Sequence, residues 1–409
     1  MYRLNHLARV AVLGAIVAVA ACENKATLLG PTTPAGGPIF SSYVALGNSI
    51  TAGYQSGGIN DSTQRQSYAR LLANQMGSQY HYPSLAMPGC PPPIANGLTG
   101  ARLPSPVPCA TRSSSSVTDV LNNVAVPGAR VLDPISASTV ASNALTQFIL
   151  GGKTQVARAL DAKPTFATIW IGNNDVLEAG YTGLLVPTAA PVSSAGIVST
   201  QAQFQASYDV MIKQLLDSAP GLKGVLIGVV QVSGIAGLTP ASLIASSPVI
   251  QATLTAAAGK PVTVHPNCTG STALVEVQQL LGFIKAGGPP VIACDKNTPG
   301  FPFPIGDLFI LDPTEQATLT ATINGYNTYI ASKAATIGFA YYDPNPLLAA
   351  QKASGAIPAF PNFQSSTATF GALFSLDGIH PAAAGHVLIA NGIIGAINAK
   401  YGTTLALVP

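Results

Sequence analysis

The sequence predicts an α/β fold, a three-layer α/β/α sandwich around a mostly parallel sheet of five strands. Short apolar runs alternate along the chain with segments whose apolar residues recur at helical spacing, an order typical of parallel sheets. The runs are apolar almost throughout, as expected of strands that are buried on both faces. The composition supplies a sizeable core, because 48% of the 409 residues are hydrophobic.

The individual elements follow from local patterns, taken in chain order. The predicted strands are residues 43–47, 123–126, 166–171, 224–232 and 338–342. The predicted helices are residues 66–76, 144–160, 203–218 and 381–400. Two long segments interrupt this order. Residues 85–122 are irregular, and residues 233–307, rich in Ala, Pro and Gly, are interpreted as an insertion above the sheet rather than a separate domain.

The N-terminal residues indicate export from the cell. Arg3 and Arg9 lie in a short basic segment. An apolar run from residue 10 follows; it ends in small residues and is too short to span a bilayer comfortably. This pattern predicts a signal peptide over residues 1–21.

Cys22 stands at the end of that apolar run. The sequence Val19-Ala20-Ala21-Cys22 resembles the lipobox of bacterial lipoproteins. The resemblance implies that Cys22 carries lipid and anchors the protein at a bacterial membrane, at the outer membrane or cell surface, where several acyl chains hold it firmly. An ordinary signal peptide followed by a chance cysteine is the alternative. Residues 22–42 are then a tether before a domain over residues 43–409, in which no transmembrane helix is predicted.

The other cysteines predict disulfides. An even number of them in an exported chain indicates paired cysteines, and four allow three pairings. We favour Cys90–Cys109 and Cys268–Cys294, because each pair would close one loop rich in Pro and Gly. A metal site is the weaker alternative, since neither Cys-x-x-Cys nor His-x-x-x-His occurs.

The charge of the chain argues against a nucleic-acid partner. Charged residues make up 9% of the sequence, compared with about 25% in a typical soluble domain. The net charge is +3, and no basic stripe is interleaved with aromatic residues. We therefore predict that no nucleic acid is bound. The sequence does not indicate an oligomeric state.

Three loops that follow predicted strands contain candidate site residues, because sites in open parallel sheets form beyond the carboxyl ends of the strands. Ser49 lies where a strand meets a helix, close to N–H groups that favour developing negative charge. Gly128 allows the backbone to approach a ligand closely, and Asn174 offers two amide hydrogens to an oxyanion. Taken singly, each has a structural alternative: a helix N-cap, a turn glycine and an Asx turn.

A fourth segment, Asp377-Gly378-Ile379-His380-Pro381, pairs an acid with a base. In a tight loop both side chains can face one site, where the carboxylate fixes the tautomer of the imidazole and stabilises its charged form. Of the five His residues, His380 alone has an acidic residue close by in a loop before a helix.

These four segments, in this order, resemble the GDSL lipase and esterase family, also called SGNH hydrolases. The resemblance implies a flavodoxin-like sheet and a Ser-His-Asp triad of Ser49, His380 and Asp377. It also implies an oxyanion hole formed by the backbone N–H groups of Ser49 and Gly128 and the side chain of Asn174. No metal or cofactor is expected. The Gly-x-Ser-x-Gly elbow of the other large esterase fold does not occur in the chain.

The chain departs from the family pattern at one position and is ambiguous at another. The family usually has Asp before the nucleophile, where this chain has Asn48. Because that Asp is not a triad member, we expect activity to survive the change. Leu85-Ala-Met-Pro-Gly89 is similar to Val124-Ala-Val-Pro-Gly128, and we choose Gly128 because the residues before it match the family's second block better.

The expected function is hydrolysis of carboxylic esters, with lipids or short acyl esters as substrates. A carbohydrate O-deacetylase of the same fold is the first alternative, with a glycan ester as substrate. A lipoprotein that binds ligands at the cell surface without catalysis is the second, and an acyltransferase that uses the same serine is the third. The sequence does not identify the acyl length or the alcohol.

Overall fold

The protein is described here by a computed structural model that covers residues 36–109, 120–136, 144–183, 185–187, 197–295 and 309–409. Cys22, the predicted signal peptide and most of the predicted tether lie outside these described residues. The helices are α1 (Ser49–Ala52), α2 (Asp61–Gln66), α3 (Tyr68–Met76), α4 (Ala144–Leu150), α5 (Gln155–Leu160), α6 (Leu177–Thr182), α7 (Gln201–Ser218), α8 (Ala241–Ser246), α9 (Pro248–Ala258), α10 (Val277–Lys285), α11 (Pro313–Ile337), α12 (Asn345–Ala353) and α13 (Ala383–Tyr401). The strands are β1 (Tyr43–Gly47), β2 (Ile94–Asn96), β3 (Ala101–Arg102), β4 (Phe166–Trp170), β5 (Val186–Pro187), β6 (Ile197–Val198), β7 (Lys223–Ile227), β8 (Leu238–Pro240), β9 (Thr263–Val264), β10 (Leu274–Glu276), β11 (Val291–Ile292), β12 (Ile310–Leu311) and β13 (Ala340–Tyr342).

A parallel sheet with the strand order β1-β4-β7-β13 forms the centre of the protein. An extended segment continues the sheet beyond β1 through a parallel bridge between Ala45 and Asn123. When this segment is counted as the second strand of the chain, the strands lie across the sheet in the order 2-1-3-4-5, which is the flavodoxin-like order. The predicted α/β class with a mostly parallel sheet is therefore confirmed.

The predicted strand at residues 123–126 is reduced to this extended segment. Its backbone makes a short ladder with β1, in which the Ala45 N–H donates to the Asn122 carbonyl (2.7 Å) and the Val124 N–H to the Ala45 carbonyl (3.0 Å). The ladder ends because Pro127 has no N–H to donate and Gly128, at φ +84°, turns the chain away. The turn that ends the ladder therefore contains Gly128, one of the predicted site residues.

Apolar side chains of the sheet alternate between two faces, each covered by helices. Val44 and Leu46 of β1 pack in one cluster with side chains of α5, α7 and α11. Tyr43 and Ala45 point the other way and pack with side chains of α3 and α13. This alternation with a period of two, on strands whose residues are nearly all buried, produces the three layers.

Two predicted elements are interrupted where the backbone geometry changes. The predicted helix at residues 144–160 is two helices, α4 and α5, because Gly151 and Gly152 between them have positive φ. The predicted strand at residues 224–232 ends at Ile227. Beyond it, the N–H groups of Val229 and Val230 donate to side-chain oxygens of asparagines instead of to a neighbouring strand.

The longest helix, α11, has 25 residues and was not among the predicted elements. Its start has a clear local signal, a capping box in which Asp312 accepts the N–H groups of Thr314 (2.7 Å) and Glu315 (2.8 Å). The Glu315 carboxylate accepts the Asp312 N–H in return (2.9 Å). Because α11 packs against β7 and α7, it completes one helical layer.

The described part of the predicted insertion holds a small core of its own. Strands β8 and β10 form an antiparallel sheet with β12, which follows the insertion in sequence. Val275 of β10 and Ile310 of β12 join side chains of α8, α9 and α10 in a separate apolar cluster. The leucines of these strands, Leu238, Leu274 and Leu311, belong to the main core instead. Glu276, at the end of β10, is buried and accepts the Gln279 N–H at the start of α10 (2.5 Å). Burial raises the pKa of Glu276 to about 7.

Both predicted disulfides are present. The Cα atoms of Cys90 and Cys109 are 4.1 Å apart, and those of Cys268 and Cys294 are 5.0 Å apart. The first closes part of the irregular segment beside the candidate site, and the second closes a loop of the insertion. Within the described ranges, none of the helices is both long and apolar enough to cross a membrane.

Candidate active site

Four loops at the carboxyl end of the central sheet meet at one point. Ser49 is the first residue of α1 and follows β1 almost directly, and Asn174 lies in a 3-10 helix just after β4. Gly128 follows the extended edge segment, and His380 precedes α13. All four residues line one chamber of about 430 Å³, which we call the wide chamber. The fold thus brings together residues that the sequence places far apart.

A hydrogen-bond relay joins Ser49 to Asp377 through His380. The Ser49 Oγ lies 2.9 Å from His380 Nε2, and Asp377 Oδ2 lies 2.8 Å from His380 Nδ1. A carboxylate can only accept, so the Nδ1 atom carries the hydrogen and Nε2 is left to accept the serine hydroxyl. This tautomer makes His380 a base directed at Ser49.

The Asp377 side chain is only 11% exposed, and its carboxylate is surrounded by donors. Besides His380 Nδ1, it accepts the N–H groups of Gly57 (2.6 Å), Ile379 (2.9 Å) and His380 (2.9 Å) and the hydroxyl of Ser375 (3.0 Å). Burial alone would raise the pKa of Asp377, but the His380 ring and the backbone donors outweigh burial and hold the pKa well below its ordinary value. The ionised carboxylate therefore stabilises the fold above its ordinary pKa. This contribution is lost progressively as the pH falls below the ordinary pKa and through the lowered value.

Two of these donors, the Gly57 N–H and the Ser375 hydroxyl, belong to a network of hydrogen bonds between the loop after α1 and the loop that carries Asp377. We call this network the cradle, and the sequence did not predict it. The Ser56 N–H donates to Ser375 Oγ (2.8 Å), and the Leu376 N–H donates to Ser56 Oγ (3.1 Å). With the bonds from Gly57 and Ser375 to Asp377, these contacts lock the loop after α1 to the loop that carries the acid. Ser56 has a φ of +54°, which for a serine marks a specially held turn. No local sequence motif predicts the cradle, because Ser56 and Ser375, which it joins, are 319 residues apart in the sequence.

Tyr54 connects the cradle with the base. Its ring lies against the His380 ring, with centroids 4.9 Å apart, and its hydroxyl donates to the Gly57 carbonyl (2.7 Å). Burial, and then the charge of Asp377, raises the pKa of Tyr54 to about 12. The phenol is therefore neutral at physiological pH and keeps its donor role.

The insertion contacts the acid–base loop from the opposite side. The Gly237 N–H donates to the Gly378 carbonyl (2.8 Å). Gly378 has a φ of +69°, and a Cβ atom there would lie 2.8 Å from the Phe370 ring and 3.0 Å from the Gly237 Cα. Only glycine fits this position without displacement of the backbone, so the close approach fixes the loop between Asp377 and His380.

Three residues that line the wide chamber carry potential hydrogen-bond donors. Within the described part of the chain, the backbone N–H groups of Ser49 and Gly128 have no hydrogen-bond partner. One amide hydrogen of Asn174 is donated to the Ala129 carbonyl (2.8 Å), which orients the side chain and leaves its second hydrogen for a ligand. Gly89, the alternative to Gly128 in the sequence, does not line this chamber.

Asp175 holds the turn that carries Asn174. It is fully buried and accepts the Val131 N–H (2.9 Å) and the Ser199 hydroxyl (2.5 Å). Burial raises the pKa of Asp175 to about 6, and these hydrogen bonds only partly oppose that effect. Because Val131 lies just beyond Gly128, Asp175 links the two loops that supply the donors.

Two further polar residues near the relay have no role in the predicted chemistry. Asn48, which replaces the usual Asp of the family, accepts the Ile50 N–H (3.2 Å) as the N-cap of α1. This bond is one that an Asp would also make.

His386 is fully buried on α13, and burial lowers its pKa to about 3. It is therefore a neutral core residue that accepts the Tyr68 N–H (3.3 Å).

Among the described residues, no group of three or more His, Cys, Asp and Glu side chains is placed to hold a metal ion.

Comparison with known proteins places these motifs in a family. The sequence profile of the GDSL-like lipase/acylhydrolase family matches residues 43–393. No curated protein sequence matches the chain.

Several solved structures resemble the protein, at low sequence identity. They include an extracellular lipase from Streptomyces rimosus, with 16% identity over 88% of this chain and 98% of that chain and a TM-score of 0.37. A catalytic mutant of an acetylxylan esterase from Geobacillus stearothermophilus has 11% identity over 90% and 96%, with a TM-score of 0.37. A putative GDSL-like lipase from Parabacteroides merdae has 13% identity over 88% and 97%, with a TM-score of 0.36. Likenesses this weak carry no argument about substrate.

The cradle leads to a prediction about stability. Ser375→Ala removes a donor to the Asp377 carboxylate and leaves the Ser56 N–H without its acceptor, so the free energy of unfolding should decrease by about 2 kcal/mol. Urea denaturation at neutral pH measures this change. Amide hydrogen exchange at Ser56 and Leu376 should also become faster, because the loop is released. Ser354→Ala, at an exposed serine that directly follows α12, is the matched control and should change stability by less than about 0.5 kcal/mol. Equal stability of the two variants would show that the cradle does not hold the acid loop.

Proposed function

Because the chain belongs to the GDSL-like lipase/acylhydrolase family and is an ester hydrolase, we propose that Ser49 is its nucleophile, with His380 as general base and Asp377 as the residue that orients the base. The observation that carries this proposal is the unbroken relay from the Ser49 hydroxyl through His380 to the ionised Asp377. Nucleophile, base and orienting acid are within hydrogen-bond reach of one another, which is the geometry that nucleophilic catalysis requires.

The first half of the reaction forms an acyl-enzyme. His380 Nε2 takes the proton of Ser49 as Oγ attacks the ester carbonyl, and the C–O bond to the alcohol then breaks. The protonated His380 gives its proton to the departing oxygen, so that a neutral alcohol leaves. Asp377 stabilises the imidazolium that forms between these two steps, and its lowered pKa keeps the carboxylate ionised throughout.

The carbonyl oxygen becomes negatively charged in this step and requires donors that are already in place. The N–H groups of Ser49 and Gly128 and the free amide hydrogen of Asn174 serve as these donors. The positive end of α1 adds to the stabilisation, although α1 is only one turn long. Preorganised donors are effective because they do not have to reorient when charge appears.

Water completes the cycle. His380 takes a proton from a water molecule that attacks the acyl carbonyl, and then returns a proton to Ser49 Oγ as the carboxylic acid is released. The chemistry needs acid–base groups and donors that the chain itself supplies.

We also propose that Cys22 carries lipid and holds the protein at the outer membrane or cell surface. The proposal is based on Val19-Ala20-Ala21-Cys22 after the basic and apolar segments of the N-terminus. The disulfide-bonded domain is consistent with an oxidising compartment.

The triad is tested by two substitutions. Ser49→Ala should reduce kcat for p-nitrophenyl butyrate hydrolysis by about 10⁴ or more, because no nucleophile remains. Asp377→Asn should reduce kcat by about 10⁴, because an amide at this position favours the wrong tautomer of His380. Thermal unfolding of each variant is the control for folding. Wild-type turnover by a Ser49→Ala protein would exclude Ser49 as the nucleophile.

The oxyanion hole is tested at Asn174. Asn174→Ala removes one donor and should reduce kcat by about 10² to 10³ with little change in KM, because the donor acts mainly on the transition state. The matched control is Asn324→Ala, which removes an amide of the same size from α11, where it accepts a hydrogen bond from Gln231. An increase in KM alone for Asn174→Ala would make this residue a binding contact rather than an oxyanion donor.

The anchor is tested in bacterial cells that carry the full-length gene. Radiolabelled palmitate should be incorporated into the protein and should be lost in Cys22→Ser, which then appears in the soluble fraction. Labelling that persists in Cys22→Ser, or no labelling of either protein, would contradict lipid attachment at this residue.

A further inference from the structure

A second cavity, with a largely different lining from that of the wide chamber, also borders Ser49. It lies between the residues that end β4 and follow β7 and the helices α12 and α13, and its apolar walls include Trp170, Val230, Val232, Leu348 and Ile389. We call it the apolar cleft. The indole N–H of Trp170 is already donated to the Gly228 carbonyl (2.9 Å). Asn48, Asn173 and Asn174 also line the cleft, and the side-chain amide nitrogens of Asn48 and Asn173 have no hydrogen-bond partner, so the polar groups of the cleft are these amides and the relay itself. The cleft has a volume of about 60 Å³.

The apolar cleft and the wide chamber meet at the relay. Ser49, Asn174 and His380 line both of them, together with Leu177 and Ile379. An ester carbonyl at Ser49 is therefore adjacent to both cavities, which can take the acyl group and the alcohol separately. The two cavities differ in size by about sevenfold, and the wide chamber is more open to solvent.

The chemistry of the walls decides which group goes where. A narrow cavity whose walls are mostly apolar favours a hydrocarbon chain, and its few amide groups would leave most hydroxyl groups of a sugar without partners. The alcohol has to depart in the middle of the reaction, and the more open chamber allows it to leave. The wide chamber also presents the rings of Tyr54 and Tyr181 beside Pro91 and Pro127, which a bulkier alcohol can contact.

The volume of the cleft sets a limit on the acyl chain. A water-sized group needs about 10–15 Å³ of such volume, so the cleft holds about four to six of them, and a methylene is of similar size. Acetate would leave most of the cleft empty, and a long fatty acid would not fit.

We infer that this protein is a short-chain acyl esterase, in which the apolar cleft holds an unbranched acyl group of about four to six carbons and Leu348 closes its far end. The inference is based on the proposed role of Ser49 and names the substrate class of the same site.

The role of Leu348 at the end of the cleft is inferred from the position of a third cavity. A small apolar cavity of about 30 Å³ shares Leu347, Leu348, Phe374, Pro381 and Ile389 with the apolar cleft, so these side chains separate the two. Phe374 is buried, and its backbone bridges to Pro381 next to His380, so a change there would disturb the relay. Leu348 is half-buried on α12, away from the relay, and can be changed with the least effect on it.

The test is the acyl-length profile of kcat/KM for p-nitrophenyl esters from acetate to decanoate. In the wild-type protein, butyrate or hexanoate should exceed acetate by about tenfold or more, because each buried methylene contributes about fourfold. Decanoate should fall below hexanoate. Leu348→Ala should join the two cavities and move the optimum to chains about two to four carbons longer. Leu348→Phe should fill the end of the cleft and move the optimum towards acetate.

The controls separate this inference from the proposed function. Leu216→Ala, a half-buried leucine on α7 that lines none of these cavities, should keep the wild-type profile. A wild-type preference for acetate, a flat profile, or a Leu348→Ala profile identical to that of Leu216→Ala would overturn the inference and leave Ser49 in its role. If hydrolysis of all these esters persisted in Ser49→Ala, or the wild-type protein hydrolysed none of them, the proposed function and this inference would both fail.

Discussion

The largely buried, ionised carboxylate of Asp377 is the group around which the site is built. A carboxylate removed from water costs several kcal/mol unless charge and hydrogen bonds compensate, and here a histidine ring, a hydroxyl and three backbone N–H groups do so. One of these donors, Gly57, lies 320 residues from Asp377 in the sequence. The carboxylate can be buried only when the two ends of the domain are joined, so the orientation of His380 depends on completion of the fold.

The parallel sheet supplies the other half of the site. β1 and β4 end at the same edge, so the turns that follow them place Ser49 and Asn174 side by side. Asp175 then links the Asn174 turn to the backbone just after Gly128 through its bond with Val131. Asn174 and the turn at Gly128 are thus held by contacts that a flexible loop would lack, as electrostatic preorganisation requires. The insertion adds a contact between Gly237 and Gly378 and so limits the movement of the acid–base loop from outside.

Much of this arrangement could be predicted from sequence because its signals are local. The strand at Tyr43–Gly47 is a short apolar run that is buried on both faces, and the structure gives it the predicted bounds. Asp377 and His380 are three residues apart, so their pairing needs only a tight turn.

The features that were missed depend on distant parts of the chain or on weak patterns. The bonds of Ser56 and Gly57 to the acid loop depend on tertiary structure, and no motif marks them. The helix Pro313–Ile337 does have a capping box, but its many Ala and Thr residues dilute the apolar pattern. The extended segment beside β1 fell short of a regular strand because Pro127 ends the ladder. The apolar cleft could not be foreseen either, since its walls come from strand ends and helices in separate parts of the sequence.

The activated serine is the central claim, and covalent labelling tests it most directly. The protein would be treated with a fluorophosphonate probe, and the modified residue would be located by mass spectrometry in the wild type and in His380→Ala. The account predicts labelling at Ser49 in the wild type and its loss in His380→Ala, because the hydroxyl reacts only when His380 removes its proton. No labelling of the folded wild-type protein, labelling at a different serine, or equal labelling in His380→Ala would contradict it.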